Sequence, residues 1–150
     1  MPDTDKEMRL STGPDLTIAI AGLGVVGAET ARQLVQASDR LSARAGRCLR
    51  LVAVSARSDS DRGFDRTGIA FESDALALAR RADVDVVIEL IGGEGGIALA
   101  LAETALQAGK HVVTANKALI AHTVSGWQGS LSKQVSGLNL KLPLQVGFRH

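Results

Sequence analysis

The residues of this chain best suited by type and spacing to do chemistry are Ala21-Gly22-Leu23-Gly24-Val25-Val26-Gly27, in which three glycines are set as G-x-G-x-x-G. Gly22 permits a tight turn, and Gly24, lacking Cβ, lets the backbone of Leu23, Val25 and Val26 approach a ligand. Gly27 lets a helix pack closely on a strand. A helix starting here offers unpaired N–H groups and its positive dipole end to an anion, so the chemistry implied is the holding of a dinucleotide pyrophosphate. A structural turn is the competing reading, and the flanking periodicity argues against it. Two further stretches fit the same ligand. Ala56-Arg57-Ser58 follows an apolar run, at the place where many such domains carry an acidic residue for a ribose 2′-hydroxyl. Arg57 there suits a 2′-phosphate, which favours NADP and leaves NAD possible. A solvated loop arginine is an equal alternative, because the loop through Asp61, Arg62 and Arg66 is thick with charge. Gly92 and Gly93, in Gly92-Gly93-Glu94-Gly95-Gly96, follow another apolar run, and either let backbone lie close to the ligand or form a wide turn.

The elements that must position these residues alternate along the chain. Leu16–Ala21 reads as a strand buried on both faces. A helix follows to near Ala37, with Val26, Thr30, Leu34 and Ala37 at helical spacing and Glu29, Arg32 and Gln36 left for water. Ser38 to Arg50 reads as a basic connection, and Leu51–Ser55 as the next strand. Ser73 is placed to cap a helix from Ala75 to Ala82. Val84–Ile91 is a third strand, and Ile97–Ala108 a helix packing through Ile97, Leu101, Ala105 and Ala108, with Gly109 at its end. His111–Thr114 is the fourth strand. The fold expected is α/β, a Rossmann-type parallel sheet with helices on both faces.

Composition narrows the function classes. The chain has 150 residues, enough for one domain with a real core, and 45% hydrophobic with 22% charged residues suits a soluble globular protein. A net charge of +1 gives no reason to invoke nucleic acid or a membrane surface. Cys48 is the single cysteine, so no intrachain disulfide forms. No export-type segment or bilayer-spanning run is seen, and the cytoplasm is the expected location. Asp59, Asp61 and Asp65 do not have EF-hand spacing, so no metal site is expected.

A family resemblance rests on Gly22 to Gly27, Val54-Ser55-Ala56-Arg57, Val84-Asp85-Val86-Val87-Ile88-Glu89-Leu90-Ile91-Gly92-Gly93, and Ala108 to Leu119 with its block Ala115-Asn116-Lys117. These closely resemble the cofactor domain of homoserine dehydrogenase over Leu16 to about Ala121. The resemblance implies NAD(P)H-dependent reduction of aspartate 4-semialdehyde to homoserine, on the way to threonine, methionine and isoleucine. It implies that Asn116 and Lys117 lie at the reaction end of the cofactor, with Lys117 catalytic. A cation at a strand's carboxyl end can indeed attract phosphate or polarise a carbonyl. The family is homo-oligomeric, and its substrate-holding acidic residues and proton-donating lysine come from a later domain. Two alternatives stand: a non-catalytic nucleotide-binding fragment, and another dehydrogenase resembling aspartate dehydrogenase, which explains the glycine turn but not the Ala-Asn-Lys block.

The resemblance stops after His122. Thr123 to His150 holds no Asp or Glu, and the family's signature Glu-Ala-Ala-Val-Ala-Gly-Gly-Ile-Pro is missing. Loss of one nucleotide between the codons of His122 and Thr123 would explain this. Read in the neighbouring frame, Ser130 to Val135 can encode Leu-Ala-Glu-Gln-Ala-Gly, and Leu140 to Arg149 can encode the signature. The expected organisation is a flexible arm over 1–14, a dinucleotide-binding domain over 15–122 that is incomplete relative to the full enzyme, and an aberrant, disordered tail over 123–150.

Overall fold

The computed structural model describes residues 13–92 and 96–126, the last five by backbone alone. Five parallel strands, β1 (Leu16–Ala21), β2 (Leu49–Ser55), β3 (Ala70–Glu72), β4 (Val86–Glu89) and β5 (His111–Thr114), form one sheet in the order β3-β2-β1-β4-β5. The helices are α1 (Val25–Gln36), α2 (Ser38–Ala45), α3 (Ala75–Arg80), α4 (Gly96–Gln107) and α5 (Lys117–Gly126). The doubly wound arrangement follows from strands apolar on both sides. Ile20 and Val54 pack with Leu23, Ala31 and Phe64 on one face, and Ala19, Ala21, Ala53 and Val87 pack with Leu78, Ala79, Leu101 and Ala105 on the other.

Several elements differ from the sequence reading, each for a local reason. The segment Ser38–Ala45 is helical, with Asp39 in its first turn, Arg44 in its last and Gly46 closing it in the left-handed region. Its charges are the wet face of a helix packed on β2 and α1, which a scan for apolar periodicity passes over. Strand β3 was not expected, since three residues are too few to show alternation. Asp74, not Ser73, caps α3, its Oδ1 accepting the Leu76 N–H at 2.9 Å, and the helix ends at Arg80. The third expected strand shrinks to Val86–Glu89, and the second starts two residues earlier, at Leu49.

The helix faces match the expected ones only in part, at Leu34, Leu101 and Ala105. On α1 the buried positions are Gly27 and Ala31, whereas Val26 is 62% exposed. On α4 they are Ala98, Leu101, Ala102 and Ala105, with Ile97 60% exposed. Ala108, expected on that face, is exposed just past the helix end. Small residues, Gly27 and Ala31 on α1 and Ala98, Ala102 and Ala105 on α4, face the protein beside the larger Leu34, Val35 and Leu101, because a close helix–sheet approach selects for size at its tightest points.

At the amino ends of the strands, Asp85 ties β1 to β4. Its Oδ2 accepts the backbone N–H of Thr17 at 3.0 Å and the Thr17 hydroxyl at 2.9 Å. These two bonds, aided by the charges of Arg47 and Lys110, hold the carboxyl below the usual carboxylate range. A group whose pKa is lowered on folding stabilises the native state above its unfolded pKa and loses that contribution as pH falls through the folded value. Asp85→Asn is therefore expected to lower the thermal midpoint at pH 7 by a few degrees. The gap to the unaltered chain should close between about pH 5 and pH 2, as followed by circular dichroism. A gap independent of pH would show that the carboxylate charge contributes nothing.

Candidate functional site

All strands run the same way, so the loops that follow them lie along one carboxyl edge of the sheet. The chain leaves β1 for β2 and β3 on one side, while β4 and β5 lie on the other, which puts the strand-order reversal between β1 and β4. The glycine turn begins there. Gly22 has φ +95°, and a Cβ on it would stand 2.5 Å from the Leu90 carbonyl oxygen at the exit of β4. Its N–H donates to the Ser55 carbonyl at 2.9 Å, fastening the turn to the exit of β2 as well. A Cβ on Gly27 would stand 1.7 Å from the Gly22 carbonyl oxygen, so α1 is seated directly on the turn.

Gly24 is different, since a Cβ there would meet nothing within 4 Å. It is the exposed N-cap of α1, offers no side-chain cap, and is followed by no acidic residue in the first helical turn. The helix start thus keeps open space and unneutralised N–H groups, which suits a pyrophosphate. Of the neighbouring residues, Leu23 has its side chain in the core, while Val25 and Val26 project into solvent.

To one side, beyond β2, Ala56 is half-buried and Arg57 is exposed, making no ion pair among the described residues. The more engaged arginine is Arg62, not singled out by the sequence. Its Nη1 donates to the Leu23 carbonyl at 2.9 Å and its Nη2 to Ser58 Oγ at 3.2 Å, so it straps the loop after β2 to the glycine turn. The loop's carboxylates serve local structure: Asp61 accepts the Gly63 N–H at 2.8 Å, and Asp65 accepts the Thr67 N–H at 2.9 Å.

To the other side, Gly92 is exposed beyond β4, and Gly93 lies outside the described residues. Asn116 follows β5 and caps α5, its Oδ1 accepting the N–H groups of Ala118 at 3.1 Å and Leu119 at 3.2 Å. Lys117 is the first residue of α5 and is exposed. The structure therefore brings the glycine turn, Ala56-Arg57, Gly92 and Asn116-Lys117 to one edge, with Arg57 and Lys117 on opposite sides of the turn. The sequence reading also passed over Glu89, the last residue of β4, which is fully buried. Its signal was a charge inside the run Val86–Ile91, whose other residues are all apolar.

Fold and site together define a Rossmann-type dinucleotide-binding domain. The profile "Homoserine dehydrogenase, NAD binding domain" matches residues 22–128, and the chain belongs to that family, whose cofactor is a nicotinamide dinucleotide. It is 36% identical over 132 residues to homoserine dehydrogenase of Methylobacillus glycogenes, covering 87% of this chain and 32% of that one. It is 44% identical over 113 residues to the Corynebacterium glutamicum enzyme, covering 73% and 24%. The solved structure of a homoserine dehydrogenase from Thiobacillus denitrificans superposes with a TM-score of 0.68 at 32% identity, over 83% of this chain and 28% of that one. The chain thus spans between 24% and 32% of the length of these relatives. Among the described residues no helix is long and apolar enough to cross a membrane.

The contrast between Gly24 and Gly27 separates binding from folding. Gly27→Ala should destabilise the domain by about 3 kcal/mol or more, because backbone rather than a flexible side chain blocks the new Cβ. Gly24→Ala should shift stability by less than about 1 kcal/mol yet weaken dinucleotide binding by about tenfold or more. Thermal denaturation and titration calorimetry on both variants measure this, and equal behaviour of the two would contradict it.

Proposed function

We propose that this chain holds NADP as the cofactor-binding part of a homoserine dehydrogenase, serving the reduction of aspartate 4-semialdehyde to homoserine in amino-acid biosynthesis in the cytoplasm. NAD is the weaker ligand on this reading. The observation that carries it is the single edge on which the glycine turn lies between Arg57 and Asn116-Lys117.

The backbone around Gly24 and the N-terminus of α1 would receive the pyrophosphate, with Leu23, Val25 and Val26 contributing through the main chain. Arg57, exposed beyond β2, would pair with a 2′-phosphate, a charge-assisted contact that a ribose hydroxyl cannot match. The strap formed by Arg62 keeps this loop against the turn. Gly92 and Gly93 would line the other side. Lys117 would stand beside the carbonyl to be reduced, its ammonium stabilising the negative charge that develops on the oxygen. The dinucleotide supplies the hydride for that carbonyl carbon. The chain corresponds to the cofactor part of its relatives, so we expect the purified 150 residues to bind without turning over.

Titration with NADPH and NADH tests the cofactor assignment. NADPH should bind tighter, and Arg57→Ala should reduce the preference by about tenfold or more, the worth of one charge-assisted contact. Equal affinities, unaltered in the variant, would remove Arg57 from the site.

We also propose that the coding frame changes after His122. Reading the gene through that junction tests it, the neighbouring frame being expected to continue into homoserine dehydrogenase sequence. Helix α5 extends to Gly126, past that point, and the rest of the tail lies outside the described residues.

A further inference from the structure

Glu89 ends β4 in register with Ala21 of β1 on one side and Thr114 of β5 on the other, and it has no solvent exposure. A carboxylate so placed is costly unless its oxygens are satisfied, and a hydrophobic side chain of similar size would be the cheaper occupant. Among the described residues no lysine or arginine forms an ion pair with it. Instead, Oε1 accepts the backbone N–H of Ile91 at 2.8 Å, and Oε2 accepts the Thr114 hydroxyl at 2.5 Å. Thr114 Oγ1 in turn accepts the N–H of Asn116 at 3.0 Å, and Asn116 Oδ1 caps α5, whose first residue is Lys117.

The direction of these bonds explains why the residue is acidic. Two donors converge on Glu89, and only a carboxylate accepts at both ends. By accepting the hydrogen bond from the Thr114 hydroxyl, it turns that group so that a lone pair of its oxygen faces the N–H of Asn116. The same side chain thus anchors the exit of β4, through Ile91, and the exit of β5, through Thr114. These are the two loops on the Lys117 side of the glycine turn.

We infer that Glu89 is a positioning residue for the nicotinamide end of the site: through Thr114 it fixes Asn116 and the start of α5, and so the place of Lys117 relative to the loop after β4. The inference rests on the dinucleotide reading above and adds to it a residue that touches neither cofactor nor substrate. It predicts that disturbing Glu89 alters the nicotinamide end and spares the adenosine end.

The test uses the purified chain and whichever of NADPH and NADH it binds tighter. ADP-ribose, which has the adenosine and pyrophosphate but no nicotinamide, serves as competitor. The readouts are the nicotinamide fluorescence of the bound cofactor at saturation and the affinity for ADP-ribose. In Glu89→Gln and Thr114→Val the fluorescence change on binding should fall by about half or more, with ADP-ribose affinity within about twofold of the unaltered chain. Thr114→Ser, which keeps the hydroxyl, should restore the signal. Should Glu89→Gln fail to fold, Thr114→Val decides the matter with the carboxylate in place. An undiminished signal in the folded variants, or a parallel loss of ADP-ribose affinity that Thr114→Ser does not restore, would overturn the inference. Failure of the unaltered chain to bind either ligand is a separate result, since it would overturn the dinucleotide reading itself and this inference with it.

Discussion

The contact on which the rest of the structure depends is that between the α-carbon of Gly27 and the carbonyl of Gly22, where even a Cβ would come within 1.7 Å. It leaves α1 no room to stand off from the turn. The first turn of the helix is therefore carried to the carboxyl edge of the sheet, and its rotation about its own axis is set at the same time. With Gly27 facing inward, Ala31 is buried and Leu34 and Val35 pack against the core, while Val25 and Val26 face water. Two exposed valines look like a defect by hydropathy, but they follow from the seating of one glycine. The turn is held from a second direction by Gly22, whose α-carbon lies against the backbone at Leu90 and Ile91. The exit of β4 is thereby pressed onto the exit of β1, bringing the glycine turn toward the side of the edge that carries Lys117.

The two faces of the sheet achieve their packing differently. Toward α3 and α4 the strands present Ala19, Ala21, Ala53 and Val87, which pack with Leu78, Ala79, Leu101 and Ala105. On this side the helices supply the bulk, through Leu78 and Leu101, and the strands the small residues. Toward α1 the strands present Ile20, Val54 and Ile88, and the loop after β2 adds Phe64. The larger volume there fills the space beside a helix whose distance is already fixed by the glycine contact. Close packing at near-crystalline density thus assigns the bulk to whichever side the backbone leaves open.

This division explains what could be read from the sequence and what could not. Continuous apolar runs made β1, β2, β4 and β5 legible, and the glycine spacing announced the turn. On α1 and α4, Leu34, Leu101 and Ala105 face the core as expected, but Val26 and Ile97 do not, because periodicity weighs them above Gly27 and Ala98 whereas packing selected the smaller residues. Helix α2 was hidden because its charged residues carry no apolar signature, and β3 because it exists only as an edge partner of β2. At the site, the glycines and Arg57 could be proposed from local pattern, and the Asn116-Lys117 pair from the family resemblance. Arg62 could not, and Glu89 showed only as a charge within an apolar run, its role hidden, since each acts on a residue distant in sequence, Leu23 in one case and Thr114 in the other. Interactions of that kind depend on the strand order, which no local pattern contains.

The helix starts along the carboxyl edge are not electrostatically ordinary. Helix α3, which follows β3, is capped by Asp74, placing negative charge where the dipole favours it. Helix α1 begins with a bare glycine cap, and α5 begins with a lysine. A cation in the first turn opposes the dipole by about 0.3 to 1 kcal/mol, only partly relieved by the amide oxygen of Asn116 on the next N–H groups. Neither start is the one that would stabilise the free helix best. Both become favourable once negative charge lies along the edge, since the N–H groups of α1 and the ammonium of Lys117 then act on it together. Each helix start thus carries a local cost that the fold beneath it does not require, and negative charge along the edge would offset both.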